Sequence, residues 1–291
     1  MTAPVKNLQD FCEQSLAREV SDELHAMANF LHKKHKGTVA ILAYGSCLRG
    51  VAVSDTLMDF YVLTENLNDV SANIFSRLAS AMIPPNVYYA ETNFEGQNLR
   101  AKYAVLPLSL FARWMNRETN NPYFWARFSQ PAALAYVRDE RSRQQTIAAI
   151  SKALRTSFAN AKALTTDPDA LAIWTGGFNA TYESEFRSEK TNRAAQIVSA
   201  YPDYYYEAAK LLVSEVPIHA NQTIRKFTGK LWSVLRLIKA AFTFQGGADY
   251  IVWKIERHSG EKIVLTEWQR RHPIIAGLML LKTLLRKGAV H

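Results

Sequence analysis

The first candidate site combines three residue types that bind phosphate and metal: Gly45, Ser46 and Asp59. Gly45 and Ser46 follow an apolar run at residues 39–42, and Asp59 lies near the start of a second strand-like run at residues 58–63. Glycine lets backbone N–H groups approach a phosphate, a serine hydroxyl adds a hydrogen bond, and a carboxylate suits Mg²⁺. The pattern favours phosphate binding with Mg²⁺, although Asp59 could instead lie at an exposed strand end or pair with a basic side chain.

The elements that would position these residues follow from hydrophobic periodicity in the first 110 residues. Helices are predicted at residues 8–34 and 68–82, and strands at residues 39–43, 58–63, 86–92 and 99–108. Helices alternating with strands in this way predict an α/β (α+β) core with a mixed sheet.

The rest of the chain is predicted to be mostly helical. Helices are expected at about residues 107–115, 141–164 and 167–174, with amphipathic stretches at residues 230–244 and 273–287. We therefore predict three parts: an α/β domain at residues 1–115, a helical substrate-binding region at residues 116–215, and a basic amphipathic segment at residues 216–291 that could contact a membrane.

The positive charge of the chain is concentrated in that last segment. The formal net charge is +9, and residues 216–291 hold 13 Lys and Arg against 4 Asp and Glu, whereas the remainder is balanced. Such asymmetry predicts an anionic partner, either nucleic acid or a lipid surface. The segment has no RNA-binding motif and its basic residues alternate with bulky aliphatic ones, so we expect an anionic membrane surface and regard nucleic acid as the weaker alternative.

Within residues 230–244 the polar positions follow one another at steps of three and four, which places them on a narrow stripe of a helix. They are Lys230, Ser233, Arg236, Lys239 and Thr243. A wide apolar face beside a thin basic stripe suits either a helix packed on the protein core or one lying in a membrane interface.

Cysteine usage and the chain start predict a cytoplasmic protein, peripheral on the inner face of a membrane. The two cysteines, Cys12 and Cys47, form no metal-ligand pattern and suggest a reducing compartment. The first residues show no signal-peptide pattern. The longest apolar run near the C-terminus, residues 274–281, is much shorter than the roughly 20 residues of a spanning helix.

A family resemblance extends over about residues 38–215, where six short blocks occur in a fixed order. They are YGSCLRG, LMDFYVL, VYY, LRAKYAVLP, YFWARFSQP and ATYESEFRSEKT. Together they resemble the mitochondrial-type phosphatidate cytidylyltransferase family, the translocator assembly and maintenance proteins, with a divergent C-terminal segment in this bacterial-like chain. The resemblance implies a nucleotidyltransferase-like domain followed by a helical, winged-helix-like region. It also implies Mg²⁺-dependent transfer of CMP from CTP to phosphatidic acid, which gives CDP-diacylglycerol and pyrophosphate in phospholipid and cardiolipin biosynthesis.

The same resemblance implies roles for individual residues. Matched to the family blocks are Gly45, Ser46, Asp59, Lys102, Tyr103, Arg127, Pro131, Tyr182, Glu185, Phe186, Arg187, Lys190 and Thr191. Ser46, Asp59 and Lys102 are implied to be catalytic. Nucleotide binding is implied for Gly45, Ser46, Lys102 and Arg127, and binding of the acceptor phosphate for Arg187 and Lys190.

One departure concerns the metal. Nucleotidyltransferases of this kind usually have two acids spaced Asp-x-Asp, but Leu57 stands at the first of these positions. The candidates for a second ligand are Asp55, Glu91, Glu183 and Glu185, and we predict a Mg²⁺ site formed by Asp59 with Asp55 and Glu185. Leu57 also keeps open a catalytically inactive membrane-bound scaffold, and the fold class keeps open transfer to RNA or to a small acceptor. The residues alone do not identify the nucleotide base.

Overall fold

A computed structural model of the chain describes residues 5–48, 57–184, 193–243, 248, 252 and 265–271. The helices are α1 Leu8–Leu16, α2 Asp22–Lys34, α3 Ile74–Met82, α4 Leu108–Arg113, α5 Trp125–Phe128, α6 Glu140–Lys162, α7 Ala170–Glu183, α8 Arg193–Ser199, α9 Pro202–Leu211, α10 Gln222–Thr243 and α11 Glu267–Arg271. The strands are β1 Thr38–Tyr44, β2 Met58–Thr64, β3 Asn86–Phe94, β4 Gln97–Pro107 and β5 Ala132–Val137, with short 3₁₀ helices at Gly45–Leu48 and Leu67–Asp69.

The strands form one mixed sheet in the order β3-β4-β2-β1-β5. β1 is antiparallel to both β2 and β5, and β3 is antiparallel to β4, whereas β2 and β4 are parallel. The register places Tyr44 opposite Asp59, and Asp59 beside Lys102. The predicted α/β class with a mixed sheet is confirmed, and the adjacent strands β1 and β2 bring Gly45, Ser46 and Asp59 together at one edge of the sheet.

Helices cover both faces of this sheet because successive side chains of a strand point to opposite sides. Phe60 and Val62 of β2 belong to a buried cluster with α2, whereas Tyr61 and Leu63 belong to the larger cluster that includes α1, α4, α6 and α7. Asp59 is two residues from Tyr61 and therefore lies on the same face of the strand, toward the larger helical layer.

The prediction of one helix over residues 8–34 is wrong, since the structure has two helices there. α1 ends with Ala17 as its C-cap, and α2 begins after Ser21, whose hydroxyl accepts a hydrogen bond from the Leu24 N–H. Asp22 and Glu23 follow in the first turn, where acidic side chains favour a helix start. The apolar residues keep a helical spacing across residues 17–21, so periodicity alone does not show that α1 ends there.

Two other predicted helices have different bounds. The predicted helix over residues 68–82 is a 3₁₀ turn followed by α3, and α3 starts after Asn73, whose side chain accepts hydrogen bonds from the Phe75 and Ser76 N–H groups. The helix predicted at residues 167–174 is α7, which begins at Ala170 and continues to Glu183.

Residues 132–137 form a strand that was not predicted, in a part of the chain that is otherwise mostly helical, as predicted. They form β5, an edge strand that pairs with β1, with Leu42 opposite Leu134 and Tyr44 opposite Ala132. Alanines favour helix in isolation, but pairing with a buried strand outweighs that propensity. The sheet therefore includes a segment that lies well beyond its other four strands in the sequence.

The long helix α10 is held against the core by its polar side. The Lys239 Nζ donates hydrogen bonds to the carbonyl oxygens of Ile83 and Pro85, each at 2.5 Å, and to Asn86 Oδ1 at 3.1 Å. Burial, and then the positive charge of Arg236, lowers the pKa of Lys239 to about 7. Lys239 thus joins α10 to the loop that follows α3.

Three more contacts fix α10 along its length. Arg225 is buried with its guanidinium 5.7 Å from the ring of Trp125, and the Trp232 ring lies edge-on to Trp114. The close approach of α10 to the end of α7 requires glycine at position 229, because a Cβ there would lie 2.5 Å from the Ser184 carbonyl oxygen. No helix among the described residues is long and apolar enough to cross a membrane, and the stretch predicted at residues 273–287 lies outside them.

Candidate functional site

A cavity of about 590 Å³ lies where the edge of the sheet faces α5, α7, α8 and α10. Its polar and charged lining includes Tyr44, Ser46, Asp59, Lys102, Tyr123, Arg127, Gln130, Thr181, Tyr182, Arg193, Ser233, Arg236 and Lys239. Of the described lining residues, five are basic and Asp59 alone is acidic. A cavity of this size with a large excess of positive charge suits a polyanionic ligand.

The turn at Gly45 is shaped around Asp59. Gly45 has φ +85°, a left-handed conformation that glycine adopts without steric cost. A Cβ built at this position would lie 3.4 Å from Asp59 Oδ2, so the carboxylate occupies the space beside the glycine. Ser46 follows in the 3₁₀ helix Gly45–Leu48 and also lines the cavity. The predicted Gly-Ser turn and the predicted acid therefore meet at one point.

Lys102 reaches the same point from β4. Its Nζ lies 4.0 Å from Asp59 Oδ1, with 40% of the Lys102 side chain and 27% of the Asp59 side chain exposed. An ion pair of this length and exposure contributes little to stability. A carboxylate and an ammonium held side by side in an open cavity can each contact a ligand, the first through a bound cation and the second directly through a phosphate.

Arg127 is held above the sheet edge by two tyrosines. Its Nη1 donates a hydrogen bond to the Tyr44 hydroxyl at 3.1 Å, and its guanidinium lies 4.7 Å from the ring of Tyr123 and 5.4 Å from that of Tyr44. Burial, and then the negative charge of Asp59, raises the pKa of the Tyr44 hydroxyl, which stays protonated. Arg127 is therefore preorganised beside the Gly45 turn, as a phosphate-binding arginine would be.

Three further cations of the cavity were not predicted as site residues: Arg193 at the start of α8, and Arg236 and Lys239 of α10. The Arg236 guanidinium lies 3.7 Å from the ring centroid of Tyr123, the same ring that Arg127 contacts. The sequence placed Arg236 and Lys239 on the polar stripe of an amphipathic helix, and the middle of that stripe, with Ser233, faces the cavity. The three- and four-residue spacing of the polar positions was the available signal.

Two of the four candidates for a second metal ligand, Glu91 and Glu183, belong to the described residues, and neither lies beside Asp59 in the cavity. Glu91 accepts hydrogen bonds from the Tyr89 hydroxyl and Asn98, and Glu183 forms an ion pair with Lys226 at 2.7 Å. Neither lines the cavity. No group of three or more His, Cys, Asp or Glu side chains is arranged to hold a metal in the part of the chain that the structure describes.

The remaining predicted site residues cannot be placed. Asp55 and Glu185, predicted as metal ligands, and Arg187 and Lys190, predicted to bind the acceptor phosphate, lie outside the described residues. Asp59 alone still fits a Mg²⁺ that is brought by a nucleotide, because Mg²⁺ typically takes one or two protein carboxylates together with substrate phosphates and water.

Comparisons with known proteins add little to this geometry. No protein-family model matches the chain, and no curated protein sequence matches it. Among solved structures, it is similar to a nucleotidyltransferase-like protein from Exiguobacterium sibiricum, with 12% sequence identity over 91% of this chain and 92% of that one, at a TM-score of 0.28. A similarity this distant carries no argument about the reaction.

Proposed function

We propose that the chain is a nucleotidyltransferase that binds a nucleoside triphosphate over the Gly45 turn. The observation that supports this most is the meeting of Gly45, Ser46 and Asp59 with Lys102 and Arg127 at one edge of the sheet, in a cavity with a large basic excess. Backbone N–H groups of a tight turn, a hydroxyl and two nearby cations, of which Arg127 is preorganised, are donors that suit a triphosphate.

The chemistry would consist mainly of positioning and charge neutralisation. An oxygen of the acceptor attacks the α-phosphorus of the nucleotide, the bond to the β-phosphate oxygen breaks, and pyrophosphate leaves with the electron pair. Lys102 and Arg127 would offset the charge that develops on the phosphoryl oxygens, and Ser46 would orient them. An acceptor that is already an anionic phosphate needs no strong general base.

Asp59 would hold Mg²⁺ together with the triphosphate. When bound, the ion would supply charge neutralisation at the transferred phosphoryl group and at the departing pyrophosphate. The position of Asp59 against the Gly45 turn supports this role, since a ligand bound over the turn has its phosphates beside the carboxylate.

We further propose CTP as the nucleotide and phosphatidic acid as the acceptor, which would make the chain a phosphatidate cytidylyltransferase. The support is the ordered series of sequence blocks, of which those at Gly45, Asp59, Lys102, Arg127 and Tyr182 all contribute to the cavity lining. Their convergence in space is what a shared site would require.

Peripheral attachment to an anionic membrane surface is part of this proposal. Two helices of the described residues present apolar side chains to solvent. On α3 they are Ile74, Phe75, Leu78 and Met82; on α10 they are Ile224, Phe227, Leu231, Val234, Leu237 and Ile238. In α3 the usual pattern is inverted, because Ser76 and Ser80 are the buried residues. Exposed apolar faces on neighbouring helices mark an interaction surface.

One assay tests the proposal. Purified full-length protein is incubated with each of the four α-labelled nucleoside triphosphates, Mg²⁺ and mixed micelles of phosphatidic acid, and the products are separated by thin-layer chromatography. We expect a labelled lipid from CTP alone. Equal labelling from ATP or UTP would contradict the assignment of the base. Labelling of added RNA instead of lipid would contradict the acceptor, and no labelling of any acceptor would favour an inactive scaffold.

A further inference from the structure

We propose that Arg236 of α10 and Arg193 of α8 form a second anion subsite, which binds the phosphate of an acceptor that also has an apolar body. The inference deepens the proposed function and rests on it. It assigns the α10 side of the cavity to the acceptor, and leaves the Gly45 side, with Lys102 and Arg127, to the nucleotide.

The first argument is the crowding of positive charge around Tyr123. The guanidinium groups of Arg127 and Arg236 lie 4.7 Å and 3.7 Å from the centroid of this one ring, so their separation cannot exceed the sum of these distances. Arg193 lines the same cavity. An anion bound beside this ring would interact favourably with more than one guanidinium group. Two substrates that both carry phosphate would supply such anions.

The second argument is that Arg127 and Arg236 are held by different elements, α5 and α10. Arg127 is tied to the sheet edge through its hydrogen bond to Tyr44. Arg236 belongs to α10, which Lys239 anchors to the loop after α3. Two arginines that are fixed by different elements define two positions for anions, one beside the Gly45 turn and one beside α10.

The third argument identifies the acceptor as amphiphilic. Leu237 and Ala240 of α10 line the cavity next to Arg236 and Lys239, and 72% of Leu237 is exposed. The apolar lining at α10 therefore continues to the outer surface of the helix, where Val234 and Ile238 are also exposed. A phosphate on Arg236 would leave the apolar part of its molecule on this path, as a phosphorylated lipid requires.

The experiment separates the two subsites by steady-state kinetics with CTP, Mg²⁺ and soluble dihexanoyl phosphatidate. Arg236→Gln and Arg193→Gln are compared with Lys102→Gln, and with Arg143→Gln as a control, since Arg143 pairs with Glu140 on the surface of α6. We expect Arg236→Gln and Arg193→Gln to raise the KM for phosphatidate at least tenfold and the KM for CTP less than twofold. Lys102→Gln should show the reverse. A rise in the KM for CTP with Arg236→Gln, or no change in either KM, would overturn the subsite.

A binding measurement keeps the test independent of the reaction. Calorimetric titration of the full-length protein with dihexanoyl phosphatidate, in the absence of CTP, should give weaker binding for Arg236→Gln and Arg193→Gln than for Lys102→Gln and Arg143→Gln. Arg236→Lys, which keeps the charge, should restore part of the affinity. If the wild-type protein transfers no nucleotide but this order of phosphatidate affinities is found, the proposed reaction fails and the anion subsite stands. If all variants bind phosphatidate equally, the subsite fails whatever the reaction.

Discussion

The carboxylate of Asp59 lies directly beside Gly45, so that a Cβ added to the glycine would be 3.4 Å from Asp59 Oδ2. The β1–β2 register produces this contact, because it places Tyr44, the last residue of β1, opposite Asp59. Gly45 and Asp59 therefore form one structural unit. A substitution at either residue can test this unit with little effect on the rest of the sheet.

Gly45→Ala should impair nucleotide binding more than it affects the fold. The residue has φ +85°, and an L-residue in the left-handed region costs roughly 1–2 kcal/mol. The turn would shift to relieve this strain and move its N–H groups relative to Asp59. We expect a higher KM for CTP with a modest loss of stability, measured by kinetics and by urea unfolding. Gly96→Ala is the control, since Gly96 has φ +81° with open space around it and lies away from the cavity.

Asp59→Asn should abolish Mg²⁺-dependent transfer while the protein stays folded. Asparagine keeps the size of the side chain but removes the charge that would hold the ion, and we expect turnover to fall by at least about 100-fold. The measurement is initial rate against Mg²⁺ concentration, with far-UV circular dichroism to compare the folds. Glu140→Gln is the matched control, because it also removes a carboxylate but lies on the surface of α6. Turnover near that of the wild type in Asp59→Asn would refute the assigned role.

Much of the site was predictable because its residues lie in short motifs on regular strands. The apolar run of β1 and the β3–β4 pair around Gly96 follow from alternation and from β-branched and aromatic residues. Lys102 was expected on the strand that proves to be parallel to β2, and its contact with Asp59 follows from that register. In these cases local pattern and tertiary structure agree.

The α10 side of the cavity was not predictable for a physical reason. Periodicity shows that Arg236 and Lys239 share one face of a helix, but it does not show what that face meets. The usual expectation is that the apolar face is buried, whereas here Lys239 is buried and Ile238 is exposed. The expectation fails here because Arg236 and Lys239 line the cavity, which periodicity alone cannot reveal.

Substitutions at two helical glycines should have opposite effects on stability. A Cβ at Gly176 of α7 meets nothing within 4 Å, so Gly176→Ala should gain about 0.5–1 kcal/mol from reduced backbone entropy. A Cβ at Gly229 of α10 would lie 2.5 Å from the Ser184 carbonyl oxygen, so Gly229→Ala should lose about 1–3 kcal/mol through overpacking. Chemical denaturation of both variants measures the difference.

The same pair tests the role of α10 in activity. If α10 forms a wall of the site, Gly229→Ala should also raise the KM for the acceptor, and Gly176→Ala should leave it unchanged. Equal kinetics in the two variants would show that the position of α10 does not matter for the reaction.

Stability should fall on acidification because of His35. Burial, ahead of repulsion from Lys34, lowers the pKa of His35 from 6.5 to about 4. The unfolded chain therefore binds the proton more readily, and the contribution of neutral His35 is complete above about pH 6.5 and is lost as the pH falls toward 4. The slope reaches at most about 1.4 kcal/mol per pH unit. Urea unfolding of wild type and His35→Gln across this range should show the flatter dependence in the variant; parallel curves would assign the acid sensitivity to other groups.

Attachment to lipid vesicles should depend on the exposed apolar face of α3. Phe75 is 78% exposed, and its insertion into a bilayer interface would bury most of the ring, so Phe75→Asp should weaken binding at least about tenfold. Basic residues near an anionic surface add about 1 kcal/mol each to the binding free energy. Salt screens this electrostatic contribution, but it does not weaken the insertion of apolar side chains. Co-sedimentation with phosphatidate-containing vesicles at low and high ionic strength separates the two. Val213→Asp is the control, since Val213 is 71% exposed but lies between α9 and α10. If the two variants bind alike, the apolar face of α3 does not contact the membrane. If the wild type does not bind anionic vesicles at low salt, neither the face of α3 nor that of α10 does.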